Sequence, residues 1–364
     1  MEETQSCFCL EEMEKIGREK MDKSVAKYIY GGADQHQAVS RNREAIKEIL
    51  LAPKVCAGIS KRDLSTTILG QKVDMPIGFS PTMCRAWITD EGEIYAAIAA
   101  GEANIPFGFS SFTETSIEDV GESMADFENP LKIMQMSIYP EKEMTMEIIK
   151  RIKKAGFQAI AVTVDHPVHG RRDFDGGDDE EPEIWQETGL PNFPKKLLYL
   201  HEKEKNNKDP DEIETTHETW QQITDLKEWS GLKVVVKGIA RPEDAEAAIK
   251  AGADAIWVSN HGGRQLGDGP ATIDCLRKIA PVVKKAGVDL YIDGGFRTGS
   301  DVLKALALGA NAVFIGRPVL SAIAYNGYEG VKEMLGILRK ELDISMALCG
   351  CSKLSDIDQS ILWE

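Results

Sequence analysis

The sequence offers little that would take it to a membrane or to nucleic acid. It contains no run of about 18 uncharged apolar residues, the minimum for a spanning helix. The opening MEETQSCFCLEEMEK is acidic and has no apolar centre, so no secretory signal is expected there. Basic residues are the minority: 43 Lys and Arg against 59 Asp and Glu leave a formal net charge of −16. Such a surface repels phosphate backbones and anionic lipids, so neither nucleic acid nor a membrane is expected as a partner. Cysteines number seven, an odd count. Cys7/Cys9 and Cys349/Cys351 are closely spaced, but no histidine or second cysteine pair stands near them at zinc-ligand spacing. They read as reduced thiols of an intracellular protein, and no metal is expected. The final residues, SILWE, differ from the SKL-type peroxisomal address.

The remaining composition is that of a globular chain. With 364 residues, 42% apolar and 28% charged, it is long enough for one large domain or two ordinary ones around a sizeable core. Part of the negative charge is local, because Asp173 to Glu187 holds eight acidic residues and no basic one. An arginine that binds an anion must therefore work in a local pocket, against the overall field.

Three segments resemble one another: KAGFQAIAVTVDHP from Lys154, KAGADAIWVSNHGG from Lys250 and ALGANAVFIGRP from Ala307. Each has a helix ending in glycine, a short turn, a continuous apolar strand and a polar or glycine-rich exit. Glycine stops a helix because it tolerates the left-handed conformation. Continuous apolar strands between helices indicate a parallel sheet buried on both faces. Eight such strands can be counted: Met75–Pro81, Ile105–Ser110, Lys132–Tyr139, Ala159–Asp165, Lys233–Gly238, Ala255–Asn260, Asp289–Gly295 and Ala312–Arg317. Helical stretches between them include Glu91–Gly101, Lys142–Lys154, Pro242–Lys250, Ile273–Ala286 and Ser300–Ala307. Eight alternating units in about 250 residues match a TIM (β/α)8 barrel better than a doubly wound sheet. The expected organisation is one α/β domain: a helical N-terminal extension over 1–70, a barrel over 71–345 and a tail over 346–364. The 166–217 stretch after strand four is too long for an ordinary connection and reads as a lid-like insertion.

In this fold the active site lies at the C-terminal ends of the strands. Those ends carry Pro81 and Thr82, Ser110, Gln135, Thr163 and Asp165, Lys237, then Ser259, His261 and Arg264, then Asp293, Gly295 and Arg297, and finally Gly316 and Arg317. Together they can bind an anion and move a proton. Gly294-Gly295 with Arg297 opens the helix after strand seven, and Gly316-Arg317 the one after strand eight; both suit a phosphate, because helix N-termini direct N–H groups at anions. His261 has no metal-ligand partner in its own segment, and Asp165 at the end of strand four is placed to orient it and favour the imidazolium form. Arg264 and Arg172 can clamp a carboxylate with forked donors, with Arg171 as a competitor. Lys237 ends a buried valine run, so its amine is either a Schiff-base former or a fixed charge beside a cofactor.

SNHGGRQL, with TVDHPVHGRR upstream and DGGFRTGSDVLKALALGANAVFIGRP downstream, resembles the FMN-dependent L-2-hydroxy acid oxidases, the glycolate oxidase and lactate oxidase group. The similarity runs from Tyr28 through the MALCGC segment. It implies FMN as cofactor, a small 2-hydroxy acid as substrate, oxygen as acceptor with hydrogen peroxide formed, and a homotetramer. Peroxisomal members end in an SKL-like tripeptide, absent here, which leaves the cytoplasm open. By this resemblance His261 is the base, supported by Asp165, and Arg264, Arg172 and Tyr28 bind the substrate carboxylate. Lys237 sits near flavin N1 and O2. Pro81, Thr82, Ser110, Gln135, Thr163 and Ser259 contact the flavin; Asp293, Gly295, Arg297, Gly316 and Arg317 hold its ribityl chain and phosphate.

The chain departs from the family pattern at four places. Ser137 stands where a tyrosine is usual two residues after the strand-three glutamine. That tyrosine is expected to donate to the substrate oxygen, and losing one well-placed donor costs about 10²–10³ in rate. Base catalysis, worth roughly 10²–10⁴, is retained, so a slower or retargeted enzyme is expected. Met83 replaces a small residue, Phe112 stands where tryptophan is common, and Gly267 follows RQL where aspartate is usual. Two further readings stay open: a flavin dehydrogenase or monooxygenase on the same substrates, and a flavin-binding barrel with little turnover because of Ser137.

Overall fold

In a computed structural model, which describes residues 6–83, 85–139, 142–172, 190–193 and 219–363, the eight apolar runs close into one barrel. Its strands in chain order are Ile77–Phe79, Phe107–Phe109, Lys132–Met136, Ala159–Thr163, Lys233–Ile239, Ala255–Val258, Asp289–Ile292 and Ala312–Ile315. Each pairs in parallel with its sequence neighbours, and strand eight closes on strand one through Val313–Ile77 and Ile315–Phe79. The expected TIM barrel is what forms. Seven of the eight strands end earlier than the apolar runs suggested, because the polar exit residues turn out of the ladder. Most of the 166–217 insertion lies outside the described residues, and with it most of the expected lid.

Side chains alternate along a strand, so one parity faces the barrel interior and the other the helices. The interior is filled by Ile133, Ala159, Ala161, Val235, Ala255, Trp257, Tyr291, Ala312 and Phe314. A two-stranded hairpin, Thr66–Ile68 with Gln71–Val73, plugs the lower end by placing Ile68 and Val73 among them. The opposite parity, including Met134, Val162, Val236, Val258 and Ile315, packs against the surrounding helices. Two residues above the interior layer the parity delivers Gln135, Thr163, Lys237, Ser259, Asp293 and Gly316 to the mouth. The site is thus an upward continuation of the core pattern.

The N-terminal extension comprises three helices, Leu10–Lys20, Lys23–Tyr30 and Gln37–Glu48. The first lies on the C-terminal helix, Arg317–Leu348, at a contact only glycine allows: a Cβ on Gly17 would sit 2.3 Å from the Ser321 carbonyl oxygen. The third sends Asn42 into the barrel mouth, where it is 2% exposed. Leu50–Leu51 pairs antiparallel with Leu362–Trp363, so the extension and the end of the described chain are stitched together. Two helices had no counterpart in the sequence reading. Ile117–Ser123 is short and is set by the Ser116 cap, which accepts from the Asp119 N–H at 3.0 Å. Trp220–Ser230 carries a Thr219–Gln222 capping box.

Behind strand one, Arg85 and Glu93 form an ion pair with both side chains fully buried. Arg85 also donates to the Ser80 carbonyl at 3.0 Å and lies over the Phe107 ring, while Thr113 donates to Glu93 at 3.2 Å. Burial raises the Glu93 carboxyl, with Arg85 opposing the rise. Removing one partner strands the other charge in the core. We expect Arg85→Met to lower unfolding stability by about 3–5 kcal/mol in urea titrations. The Arg85→Met, Glu93→Leu double variant is expected to recover most of that loss. Unchanged stability in the single variant would contradict the burial of the pair.

Candidate active site

The mouth of the barrel is a layer of buried polar side chains that bond to one another. The Gln135 amide is one hub. Its oxygen accepts from the Ser111 backbone N–H at 3.2 Å and from the Ser110 hydroxyl at 3.4 Å, and its nitrogen donates to Thr163 Oγ1 at 3.1 Å. Ser259 is another. It accepts from Lys237 Nζ at 3.2 Å and donates to Asp293 Oδ1 at 2.7 Å, while the amine lies 3.8 Å from Asp293 Oδ2. Side chains thereby join strands two to four, and separately strands five to seven, at one level. The Lys237 amine is held by a serine and a carboxylate, which favours the fixed-charge reading over the Schiff base.

His261 is brought to this layer by an unusual backbone. It lies at φ 57°, followed by Gly262 at 66° and Gly263 at 80°, so three successive residues occupy the left-handed region. That cost, of order 1 kcal/mol for the histidine, is met by neighbours. The amides of Asn42 and Asn260 donate to each other at 2.9 Å in both directions. Asn260 Oδ1 also accepts from the Gly263 N–H at 3.1 Å, and Ser259 Oγ from the His261 N–H at 3.2 Å.

His261 Nδ1 faces Asp165 Oδ1 at 3.2 Å, joining the exits of strands six and four as the sequence suggested. Nε2 is then the nitrogen available to a substrate. The imidazole is half-buried, with a third of its side-chain surface exposed. Burial lowers its pKa, and Lys237 and Arg172 add to that, outweighing the opposing pull of Asp165. The neutral form is therefore favoured, contrary to the expectation that Asp165 would favour imidazolium. For Asp165 itself burial works against the charged form, but His261 and Lys237 win and hold the carboxyl below its usual range.

The arginines divide. Arg172 donates to the Arg264 carbonyl at 3.3 Å and to Gln265 Oε1 at 3.2 Å, and its charge is felt at His261. The Arg264 guanidinium lies 4.5 Å over the Tyr28 ring and donates to the Tyr28 carbonyl at 2.6 Å. Its Nη2 is buried without a partner among the described residues. Arg171 points elsewhere, towards Asp34 at 3.7 Å, with three-quarters of its side chain exposed. The Tyr28 hydroxyl contacts Met83 Sδ at 3.3 Å, and its ring packs on Trp87. Ser137 is half-buried just past strand three. Nearby Phe112, Phe193 and Tyr139 form an aromatic group, with centroids 4.7 Å and 6.0 Å apart.

The strand-seven and strand-eight exits meet a cationic group. Arg317 donates to the carbonyls of Ile29, Gly31 and Gly262, each at 2.8 Å. Arg297 pairs with Glu14 at 2.7 Å. Burial, then Arg264 and Arg297, lower Arg317 to about 9, against which Glu14 is the first opposing charge. Arg317 thus lies near two like charges, while Glu14 is paired with Arg297. Gly294 and Gly295 lie at φ 98° and 95°, and a Cβ on Gly295 would sit 2.6 Å from the Asn42 carbonyl oxygen. One expectation changes here. The helix N-terminus after strand seven is already capped: Asp301 accepts from the N–H groups of Arg297 and Thr298 at 3.0 and 3.1 Å, and Glu341 accepts from that of Gly299 at 2.8 Å. The helix opening at Gly316 has no side-chain cap.

These residues fit an FMN. Ser80 Oγ and Thr82 Oγ1, at the exit of strand one, are buried without partners among the described residues. Each arginine of the cationic group retains N–H hydrogens beyond those in its hydrogen bonds, since a guanidinium carries five. Lys237, Gln135 and Thr163 offer donors and acceptors to a polar ring edge, and excess positive charge meets a phosphate.

Sequence reasoning missed Gln265. Its Nε2 donates to the carbonyls of Asp165 and Val168 at 2.9 Å, and its Oε1 faces the Gly170 N–H, so it holds the turn that carries Asp165. A lone glutamine in a loop has no periodic signal to betray it.

Comparison with known proteins agrees with this geometry. Residues 17–364 match the family model described as FMN-dependent dehydrogenase. The chain is 36% identical over 357 residues to 2-hydroxyacid oxidase 2 of Bos taurus, covering 97% of this chain and 98% of that one. It is 36% identical over 365 residues to glycolate oxidase 1 of Oryza sativa subsp. indica, covering 97% and 94%. A soluble mutant of (S)-mandelate dehydrogenase from Pseudomonas putida superposes with a TM-score of 0.87 at 30% identity, covering 98% and 99%. A barrel whose mouth pairs a histidine with an aspartate near a group of arginines, matched along nearly its whole length, belongs to the FMN-dependent dehydrogenase family of 2-hydroxy acid oxidising flavoproteins.

Proposed function

We propose that this protein oxidises a small (S)-2-hydroxy acid to the 2-oxo acid, with oxygen as electron acceptor and hydrogen peroxide as the second product. The observation that carries the reading is the His261–Asp165 pair, 3.2 Å apart, at the level of the buried polar layer and beside Arg172. FMN, when bound, accepts the hydrogen and electron pair that leave the substrate carbon. The chain's own residues do the rest. Arg172 and Arg264 hold the substrate carboxylate, with Tyr28 packed against Arg264. His261 Nε2 takes a proton as the carbonyl forms, and Asp165 fixes the ring so that Nε2 is the free nitrogen.

Lys237 supplies positive charge where the bound cofactor gains electrons, and Ser259 with Asp293 keeps the amine in place. Pro81, Thr82, Ser110, Gln135 and Thr163 line the cofactor's ring side. Asp293, Gly295, Arg297, Gly316 and Arg317 line its phosphate side. The names of the relatives favour a 2-hydroxy acid, and two of the three are oxidases. The third, a dehydrogenase, supports the alternative of a different acceptor.

The purified protein is expected to be yellow and to bleach when a 2-hydroxy acid is added anaerobically; a panel from glycolate to mandelate ranks the substrates. Recolouring in air with stoichiometric peroxide supports oxygen, and slow recolouring supports the dehydrogenase. His261→Gln is expected to keep the colour and lose bleaching by at least about 10², whereas Arg317→Ala loses flavin on dialysis. Equal flavin loss in both would sink the division of roles. Because burial lowers the His261 pKa and the base works when neutral, kcat/KM should hold as pH falls through the ordinary imidazole value. An acid limb above that value would contradict the enclosed site. Ser137→Tyr is expected to raise turnover on a short substrate; no gain would mean a site rebuilt around serine.

A further inference from the structure

The two loops that carry the chemistry meet at one side chain. The loop after strand six presents His261 and Arg264, and the turn after strand four presents Asp165 and Arg172. Gln265 belongs to the first loop and bonds to the second at four points. Its Nε2 donates to the carbonyls of Asp165 and Val168, each at 2.9 Å. Its Oε1 accepts from the Gly170 N–H at 3.4 Å and from Arg172 Nη2 at 3.2 Å. A glutamine amide has two N–H hydrogens and an oxygen with two lone pairs, so its whole capacity is spent on this turn. The turn is tightly packed between those points. The His166 and His169 rings meet edge-on with centroids 4.4 Å apart, and a Cβ on Gly170 would sit 2.4 Å from the Arg264 carbonyl oxygen and 2.5 Å from that of Gln265.

Asp165 depends on this clasp for its place. Its Oδ1 faces His261 Nδ1 at 3.2 Å, but its Oδ2 is buried without a partner among the described residues. No second hydrogen bond among them steers the carboxylate from behind, so the backbone must set it. Gln265 takes the Asp165 carbonyl, and Gly238 lies so close alongside that a Cβ there would sit 2.6 Å from the Asp165 Cβ. Arg172 is set by the same amide and by the Arg264 carbonyl at 3.3 Å.

We propose that Gln265 is a positioning residue that locks the strand-four turn onto the strand-six loop, so that the base and the grip on the substrate carboxylate are aligned together. The inference rests on the reading of His261 as base and Arg172 as a carboxylate ligand. Gln265 touches no reacting atom. It acts through Asp165 at one end of the turn and through Arg172 at the other. A glutamine that only stiffened the loop would alter stability and leave the rate and affinity of the folded enzyme as they were.

The test uses the flavin-loaded enzyme and Gln265→Met, which keeps the length of the side chain and removes its amide. With the fastest 2-hydroxy acid of the glycolate-to-mandelate panel, the limiting rate of anaerobic bleaching should fall about 10–100-fold. The dissociation constant of the corresponding 2-oxo acid, read from the flavin absorption spectrum without turnover, should rise about tenfold. Each effect should travel through its own partner. In an Asp165→Asn background Gln265→Met should change the bleaching rate by less than about twofold, and in an Arg172→Met background it should leave the 2-oxo acid affinity unchanged. Gly170→Ala, which wedges the turn away from the Arg264 carbonyl, is expected to reproduce both losses, and it carries the test if Gln265→Met does not retain flavin. Losses that persist undiminished in both backgrounds would mark a general disturbance and overturn the proposal. So would a loss of rate or affinity alone, or of neither. Failure of the underlying reading is separate: it would show as bleaching that survives His261→Gln, or as 2-oxo acid affinity that Arg172→Met leaves intact.

Discussion

The reciprocal amide contact between Asn42 and Asn260 is the constraint on which the mouth of this barrel depends. His261 reaches its place only through a left-handed stretch of backbone, which an isolated loop would abandon. The two amides satisfy each other at 2.9 Å while Asn42 Oδ1 also accepts from the Thr272 N–H at 3.1 Å. The same asparagine backs the close approach at Gly295. A residue from outside the barrel thus fixes the exits of strands six and seven, and the interior polar layer ties strands two to four and strands five to seven. Buried polar groups are costly unless each finds a partner. Here they partner one another, which makes the layer rigid.

Chemistry and core share one rule of placement. Along strands three, four and six the interior positions read apolar, apolar, then polar, and along strands five and seven a single apolar residue precedes the polar one, so one step of two residues separates the packing layer from the polar layer. Trp257 and Tyr291 pack within the barrel, and Ser259 and Asp293 bond above them. Electrostatics then specialises the layer. Burial, with Lys237 and Arg172, opposes protonation of His261, and the carboxylate of Asp165 orients the ring without restoring its usual basicity.

Most of the fold was legible because the eight apolar runs differ so strongly from the polar exits that follow. The exits themselves were readable as a set, and His261 with Asp165 could be paired from topology. What stayed hidden depends on three-dimensional company. Arg85 and Glu93, eight residues apart, look like surface charges until the turn after strand one folds them inward. Gln265 carries no periodic mark, and His166 and His169 look like ordinary loop residues until their rings meet. The helix N-terminus after strand seven promised an anion site by its glycines, but Asp301 and Glu341, at 3.0 and 2.8 Å, already occupy it. The sign of the His261 shift could not be read either, since it is set by enclosure rather than by its nearest neighbour.

The small antiparallel pairing of Leu50–Leu51 with Leu362–Trp363 has a reach beyond its size. It fastens the segment just behind Asn42 to residues more than three hundred positions away in the sequence. Damage at the carboxyl end, such as trimming by a protease, would therefore slacken the tether of the helix that presents Asn42. Such a lesion would be felt as a loosened catalytic histidine, although no atom removed lies near the flavin cradle.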